Sequence, residues 1–164
     1  MSTSASGLAH LLDAPMRAGE VAWIGIRPTR REPLQAVAAV FAEAGVGLRG
    51  DHYRSRRDGG RQVTLMQAEH LPAVASYLDR GDVDPGLLRR NLVVRGLNLL
   101  ALKGRAFRIG QATLEYTGEC HPCSRMQAAL GPGGYNAMRG HGGITARITT
   151  SGEIGLGSAV TRLT

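Results

Sequence analysis

The sequence predicts a mainly β domain with minor α content: a Gly-rich, closed or partly open β-barrel decorated by two or three short helices. Three observations carry that expectation. Short β-branched and aromatic runs recur along the chain, 23 glycines punctuate them, and no long linker, internal repeat or low-complexity tract divides them. Residues 1–18 are expected to form a flexible or peripheral arm, and residues 19–164 a single domain.

The elements follow in order. Val21-Ala22-Trp23-Ile24-Gly25-Ile26 is a β-rich run stopped by Arg27-Pro28, so it reads as the first strand. Pro33 then opens Leu34 to Glu43, with apolar residues at helical spacing and Gly45 beyond its end; this segment is expected to be a helix. Gly47 to Gly60 is a polar Gly/Arg-rich loop, and Arg61 to Met66 alternates as a strand does. Glu69 to Leu78 reads as a short amphipathic helix, and Pro85 to Arg89 as one more turn. From there β texture dominates, with short runs at Asn91–Val94, Leu99–Leu102, Phe107–Ile109 and Ala112–Tyr116. A brief helix is expected from about Arg125 to Leu130, and a loop over Gly131-Pro132-Gly133-Gly134. Strands around Ile144–Thr150 and Ala159–Leu163 close the chain, joined through the turn Ser151-Gly152 and the run Glu153 to Gly157.

A chain of 164 residues with 43% hydrophobic residues can bury one real core without disulfide staples. No apolar run approaches the roughly 18 residues of a membrane helix, and no partner membrane is expected. Met1 to Gly19 has neither a basic lead nor a continuous apolar stretch, unlike a secretory signal. The expected location is the cytoplasm, where thiols stay reduced. The net charge is +7, and Lys103 is the only lysine among 20 basic residues. Arginine's planar fork suits a bidentate grip on phosphate or carboxylate, although a GC-rich source would also favour arginine everywhere. A basic nucleic-acid-binding module is the other reading of such a charge. With two Phe, one Trp and four Tyr, however, the chain offers little base-stacking surface, and it carries no helix-turn-helix, zinc-finger or RRM signature.

The chemical centre is Cys120-His121-Pro122-Cys123. Ser124-Arg125-Met126-Gln127 has the Ser-x-x-Gln form of a capping box, which would make Ser124 the helix N-cap; Pro122 at the first helical position is a competing placement. Either places the Cys123 sulfur near a helix N-terminus, with Arg125 and His121 as positive or polarisable neighbours. Such surroundings favour the thiolate, the form that attacks sulfur or ligates soft metals. Both cysteines could instead be small buried hydrophobes. A thioredoxin-type pair would follow the first strand of a βαβ unit, whereas this one follows late β-hairpins. Zinc would want two more regularly spaced ligands, and only His121, His141, His52 and scattered carboxylates are on offer. Arg139-Gly140-His141-Gly142-Gly143 forms the second candidate. Its small residues could converge backbone N–H groups on an anion, aided by Arg139 and Arg147; a tight turn before a strand explains the same residues.

Taken together, the chain resembles the MOSC domain, named after the C-terminal domain of molybdenum cofactor sulfurase. The matching pieces are Gly47-Leu48-Arg49-Gly50-Asp51, Arg61-Gln62-Val63-Thr64-Leu65, and Arg89-Arg90-Asn91-Leu92-Val93-Val94 with Gly96. Phe107-x-Ile109-Gly110, Leu114-x-x-Thr117-Gly118, Pro122-Cys123 and Gly142-Gly143-Ile144-x-Ala146-Arg147 follow in the right order. The match runs from about Val21 to Leu163 and looks most like the small stand-alone bacterial members. The resemblance implies a barrel-like fold and a family cysteine at Cys123 that ligates the molybdenum of a pterin cofactor (molybdopterin) or carries sulfur as a persulfide. It implies that Arg49, Arg89, Arg90, Asn91, Arg139, His141, Gly142, Gly143 and Arg147 are candidates for holding that cofactor and its phosphate. Cys120 would be a resolving thiol or second ligand, with His121 and Arg125 assisting. The expected partners are a cysteine desulfurase or other sulfur donor and a metalloenzyme acceptor. No covalent pyridoxal phosphate is expected, because the chain has no room for the sulfurases' separate domain and Lys103 lacks a phosphate-binding setting. The alternative activity in the family is a molybdenum-dependent reductase of N-hydroxylated compounds, whose extra N-terminal domain is not expected here.

Overall fold

The computed structural model describes residues 3–163, and the side chains of residues 7–163. In chain order the elements are α1 (Thr3–Leu12), β1 (Gly19–Ile26), β2 (Gln35–Ala36), β3 (Ala39–Glu43), β4 (Gly47–Leu48), β5 (Val63–Gln67) and α2 (His70–Tyr77). They continue with β6 (Leu92–Arg95), β7 (Ala106–Ile109), β8 (Ala112–Glu119), α3 (Ser124–Leu130), α4 (Gly134–Met138), β9 (Ile144–Thr150), β10 (Gly152–Gly155) and β11 (Ala159–Arg162). Short 3-10 turns occupy Pro85–Leu88 and Leu99–Leu102.

The pairing order β11-β7-β8-β9-β5-β6-β1 closes on itself through β1 and β11, giving a seven-stranded barrel. Closure leaves these strands without a free edge. The pairs are antiparallel except β5–β6. Val21, Ile24, Leu65, Leu92, Val94, Phe107, Leu114, Ile148 and Val160 fill the interior. A three-stranded sheet, β10-β3-β4, packs beside it. Met66, on the other face of β5, belongs to a second apolar cluster with Val74, Leu88, Met126, Leu130 and Met138. That cluster seats α2, α3 and α4 on the barrel wall.

Five expectations are corrected. Leu34–Glu43 is not a helix but β2 and β3, with Val40 and Ala42 buried and their neighbours more open. Alanine-rich runs satisfy periods of 3.6 and 2 alike, and antiparallel pairing of Val40 with Ile154 and Ala42 with Gly152 decides between them. Leu99–Leu102 is a 3-10 turn rather than a strand, because the Asn98 carboxamide oxygen accepts the Leu100 N–H at 3.1 Å. Gly134 opens α4 rather than ending a loop, since a Cβ there would lie 2.7 Å from the Leu130 Cβ and 3.0 Å from the Met126 carbonyl oxygen, and only glycine fits so close to α3. The run after Ser151 contains strand β10, which pairs with β3. Finally, Cys123 rather than Ser124 is the residue before the first turn of α3, in extended conformation (φ −133°, ψ 178°). The capping-box bond does not form; the Gln127 carboxamide oxygen accepts the Tyr135 N–H at 3.1 Å instead.

The N-terminal arm contains α1, whose described leucines are exposed. Its end is tied to the barrel: the Arg162 guanidinium donates to the carbonyls of Leu12, Asp13 and Ala14. No helix among the described residues is long and apolar enough to cross a membrane.

Candidate functional site

The register gathers the chemistry at one end of the barrel. Leu65 pairs with both Leu92 and Ile144, and Ile144 pairs with Glu119, the last residue of β8. At that level β6 and β9 begin and β8 ends. On the other side of β6, Ile24 pairs with Leu92, so β1 runs out just beyond it toward Arg27. The exit of β1, the approaches to β5 and β6, and the segment after β8 therefore surround one opening.

Cys123 lies there, exposed, in a cleft of about 280 Å³. Arg27, Arg61, Arg89, Arg90 and Arg125 line it with Asn91, Thr64, Asp51, His52 and Tyr53. Five guanidinium groups thus face one carboxylate, that of Asp51, whose Oδ1 already accepts the Arg27 backbone N–H at 2.7 Å. Arg27 is itself buried, and its Nε has no hydrogen-bond partner. Burial, then Arg89, with Asp51 opposing, holds the Arg27 guanidinium below its usual pKa.

Arg89 and Arg90 separate because Arg89 adopts a left-handed backbone, φ 60°. Arg89 stays at the cleft mouth while Arg90 turns inward, 6% exposed. The Arg90 Nε donates to the Gly142 carbonyl at 2.7 Å and Nη1 to the Leu88 carbonyl at 2.8 Å. Burial lowers the Arg90 pKa, and the neighbouring Cys120 works against that shift. Asn91 is a tie: its Oδ1 accepts from the Thr64 N–H at 3.1 Å, and its Nδ2 donates to the Gly25 carbonyl at 3.2 Å. It holds β5, β6 and β1 in register beneath the cleft.

Cys120 is buried, with the Arg61 Nη2 3.8 Å from its sulfur. Its backbone N–H donates to the Gly143 carbonyl at 2.8 Å, extending the β8–β9 ladder by one step. Gly142 and Gly143 serve this close approach. A Cβ at Gly142 would overlap the Cys120 carbonyl, and one at Gly143 (φ 85°) would overlap the Leu65 carbonyl. With Cys120, His121 and Pro122, these glycines line a separate cavity of about 240 Å³ that also includes His70, Gln67 and Glu119. The tetrapeptide is thus a partition, with Cys123 on the arginine side.

The remaining candidates lie away from the cleft lining. Arg49 stacks on the Phe41 ring, 4.3 Å from its centroid. Arg147 pairs with Glu115 and donates to the Asp58 carbonyl. Arg139 approaches the Asn136 carboxamide at 3.4 Å. His141 packs edge-on against His70, ring centroids 4.6 Å apart. Sequence reasoning missed Arg27 as a site residue. Its one local signal was an arginine closing a buried strand directly before proline. Among the described residues, no three or more His, Cys, Asp or Glu side chains form a group able to hold a metal ion.

This arrangement can hold an anion and present a soft nucleophile or ligand to it. The cationic crowding and the orphaned Arg27 Nε leave a place for negative charge that no protein group fills.

Comparisons with known proteins agree with the barrel. The fold is similar to that of the YuaD protein from Bacillus subtilis (TM-score 0.76, 19% identity, covering 88% of this chain and 94% of that one). It is also similar to YiiM from Geobacillus stearothermophilus (0.71, 17%, 89% and 75%) and YiiM from Escherichia coli (0.67, 19%, 92% and 71%). No curated protein matches the chain. The MOSC domain family model matches residues 58–161, from the approach to β5 through the thiol segment and into β11, and the chain belongs to the MOSC domain family.

Proposed function

We propose that the Cys123 cleft handles sulfur and the pterin molybdenum cofactor, with Cys123 accepting sulfane sulfur as a persulfide or ligating the metal through its thiolate. The observation that carries this reading is an exposed cysteine in a cleft lined by five arginines and one carboxylate. The residues fit such a group. A thiolate is a ligand suited to a soft, sulfur-rich metal centre, and guanidinium forks suit a terminal phosphate. Arg27, with its unsatisfied Nε, Arg89 and Arg125 would take the phosphate, and Arg61 would stand beside the thiol segment. Arg90 and Asn91 act beneath them as positioning residues, because their polar groups already hold the backbone. When bound, the cofactor would supply oxygen- or sulfur-atom transfer chemistry at its metal. The protein's own part is to keep Cys123 accessible, balance the ligand's charge and hold the thiol segment still against Gly143.

The test is direct. Purified protein incubated with a cysteine desulfurase and cysteine should gain one sulfur atom at Cys123, located by peptide mass analysis under nonreducing conditions. Molybdenum cofactor released from a holoenzyme should protect Cys123 from alkylation. If Cys123→Ala takes up sulfur as well as the wild type, and cofactor gives no protection, the reading is wrong.

A further inference from the structure

We infer that the trough adjoining the Cys123 cleft is the docking groove for an acidic, extended segment of the protein that passes sulfur to Cys123. This rests on the sulfur-transfer reading above. The trough has a volume of about 670 Å³, against 280 Å³ for the cleft. Arg27, Leu34, Arg89 and Arg125 line both, so they are continuous. A chain seated in the trough would therefore end at the thiol.

The charge of the trough is unbalanced. Arg30 and Arg31 join Arg27, Arg89 and Arg125 against two acids, Glu32 and Asp84. Asp84 is committed, its Oδ1 accepting the Gly86 N–H at 2.9 Å. Elsewhere Arg54, Arg95, Arg105 and Arg147 have carboxylate partners. None of the trough arginines forms an ion pair among the described residues. Two of them, Arg31 (φ 73°) and Arg89 (φ 60°), hold left-handed backbone conformations, which side-chain-bearing residues rarely adopt.

The apolar wall distinguishes a peptide from a small polyanion. Pro33, Leu87, Ala128 and Ala129 are exposed along the trough. Pyrophosphate, which has no apolar part, would engage the arginines and leave those surfaces wet. An extended segment alternating acidic and apolar side chains covers both, since successive side chains point in opposite directions.

The chemistry balances without a further reactant. The Cys123 thiolate attacks the outer sulfur of a donor persulfide, R–S–SH. A new S–S bond forms to Cys123, the donor's S–S bond breaks, and the donor leaves as its thiolate while the proton stays on the transferred sulfur. One persulfide is consumed and one formed, so there is no net oxidation.

The experiment uses the full chain and a fluorescein-labelled eight-residue peptide of alternating Glu and Leu. Anisotropy should report binding at 50 mM salt that weakens steeply by 500 mM. Arg30→Glu with Arg31→Glu, both in an exposed loop, should weaken it at least about tenfold. Saturating peptide should slow alkylation of Cys123 by neutral iodoacetamide. Loading of Cys123 by a small neutral alkyl persulfide is measured in parallel and should be unchanged in the double variant. Equal peptide binding by wild type and variant, or pyrophosphate binding that is tighter than the peptide's and equally lost in the Arg30/Arg31 double variant, overturns the docking groove while leaving sulfur loading intact. Failure of the neutral persulfide to load Cys123 overturns the sulfur-transfer reading, and the docking inference with it.

Discussion

Replacing Arg90 by Met tests how the site is built. The substitution keeps an unbranched side chain of similar length and removes the guanidinium. Two carbonyls, Gly142 and Leu88, then lose donors at 2.7 and 2.8 Å in an environment where Arg90 is only 6% exposed. Hydrogen bonds from a charged donor are worth about 1.5–3 kcal/mol each, so the two together represent about 3–6 kcal/mol. Against this stands relief of the buried charge, which has no carboxylate partner and whose pKa burial already lowers. A net loss of about 2–4 kcal/mol is expected. At roughly 2–4 °C per kcal/mol for a domain of this size, Tm should fall by about 5–15 °C. Urea denaturation of wild type, Arg90→Met and Arg90→Lys measures the loss; Lys should rescue only partly, because one ammonium cannot reproduce the fork's two directed bonds. The Gly142 carbonyl lies behind the thiol segment, so the Met variant should also show faster alkylation of Cys120. A Met variant within about 0.5 kcal/mol of wild type, with Cys120 still protected, would refute the strut assigned to Arg90.

Native-state labelling with iodoacetamide should modify Cys123 on the order of 100-fold faster than Cys120, because one thiol is exposed and the other buried; equal rates by mass analysis would contradict the partition formed by the tetrapeptide. Stability should also fall as pH drops below about 6.5. Burial, then the neighbouring His141, depresses the His70 pKa while Glu69 opposes, so between the unfolded and folded values the unfolded chain binds the extra proton and gains on the native state. In His70→Gln the slope of unfolding free energy against pH just below 6.5 should flatten; an unchanged slope would remove His70 as its source. Glu69, whose carboxylate burial would raise but hydrogen bonds from Gly96 and Gln67 hold low, acts in the same direction only at more acidic pH, below its ordinary 4.5, which separates the two.

The runs at β1, β5, β6, β8 and β9 were legible because β-branched and aliphatic residues cluster there between glycine, proline and asparagine breakers, a local signal. The alanine-rich segment over 34–43 was not, because alanine fits either period and β10, the strand that pairs along most of β3, lies more than a hundred residues away. Cys123 was legible as a candidate: a cysteine two residues before an arginine and ahead of a short helix is a local pattern, whereas its exposure and its place as the residue before the first turn came from the fold. The arginines around it were legible only in part. Arg89, Arg90, Asn91 and Arg125 are sequence neighbours of recognisable segments, whereas Arg27 enters the cleft only because β1 lies antiparallel to β6.

The Gly142-Gly143 pair shows the same division from the other side. As residues they suggest an anion nest; in the fold they let the backbone pass beneath Cys120 and Leu65. The sequence by itself determined the β-dominated domain and marked the Cys123 thiol as the candidate centre, since both rest on residue type and short-range spacing. Tertiary structure alone decided which cations meet that thiol and which arginines are spent elsewhere, because barrel closure sets those distances through strand register, a property no local stretch of chain contains.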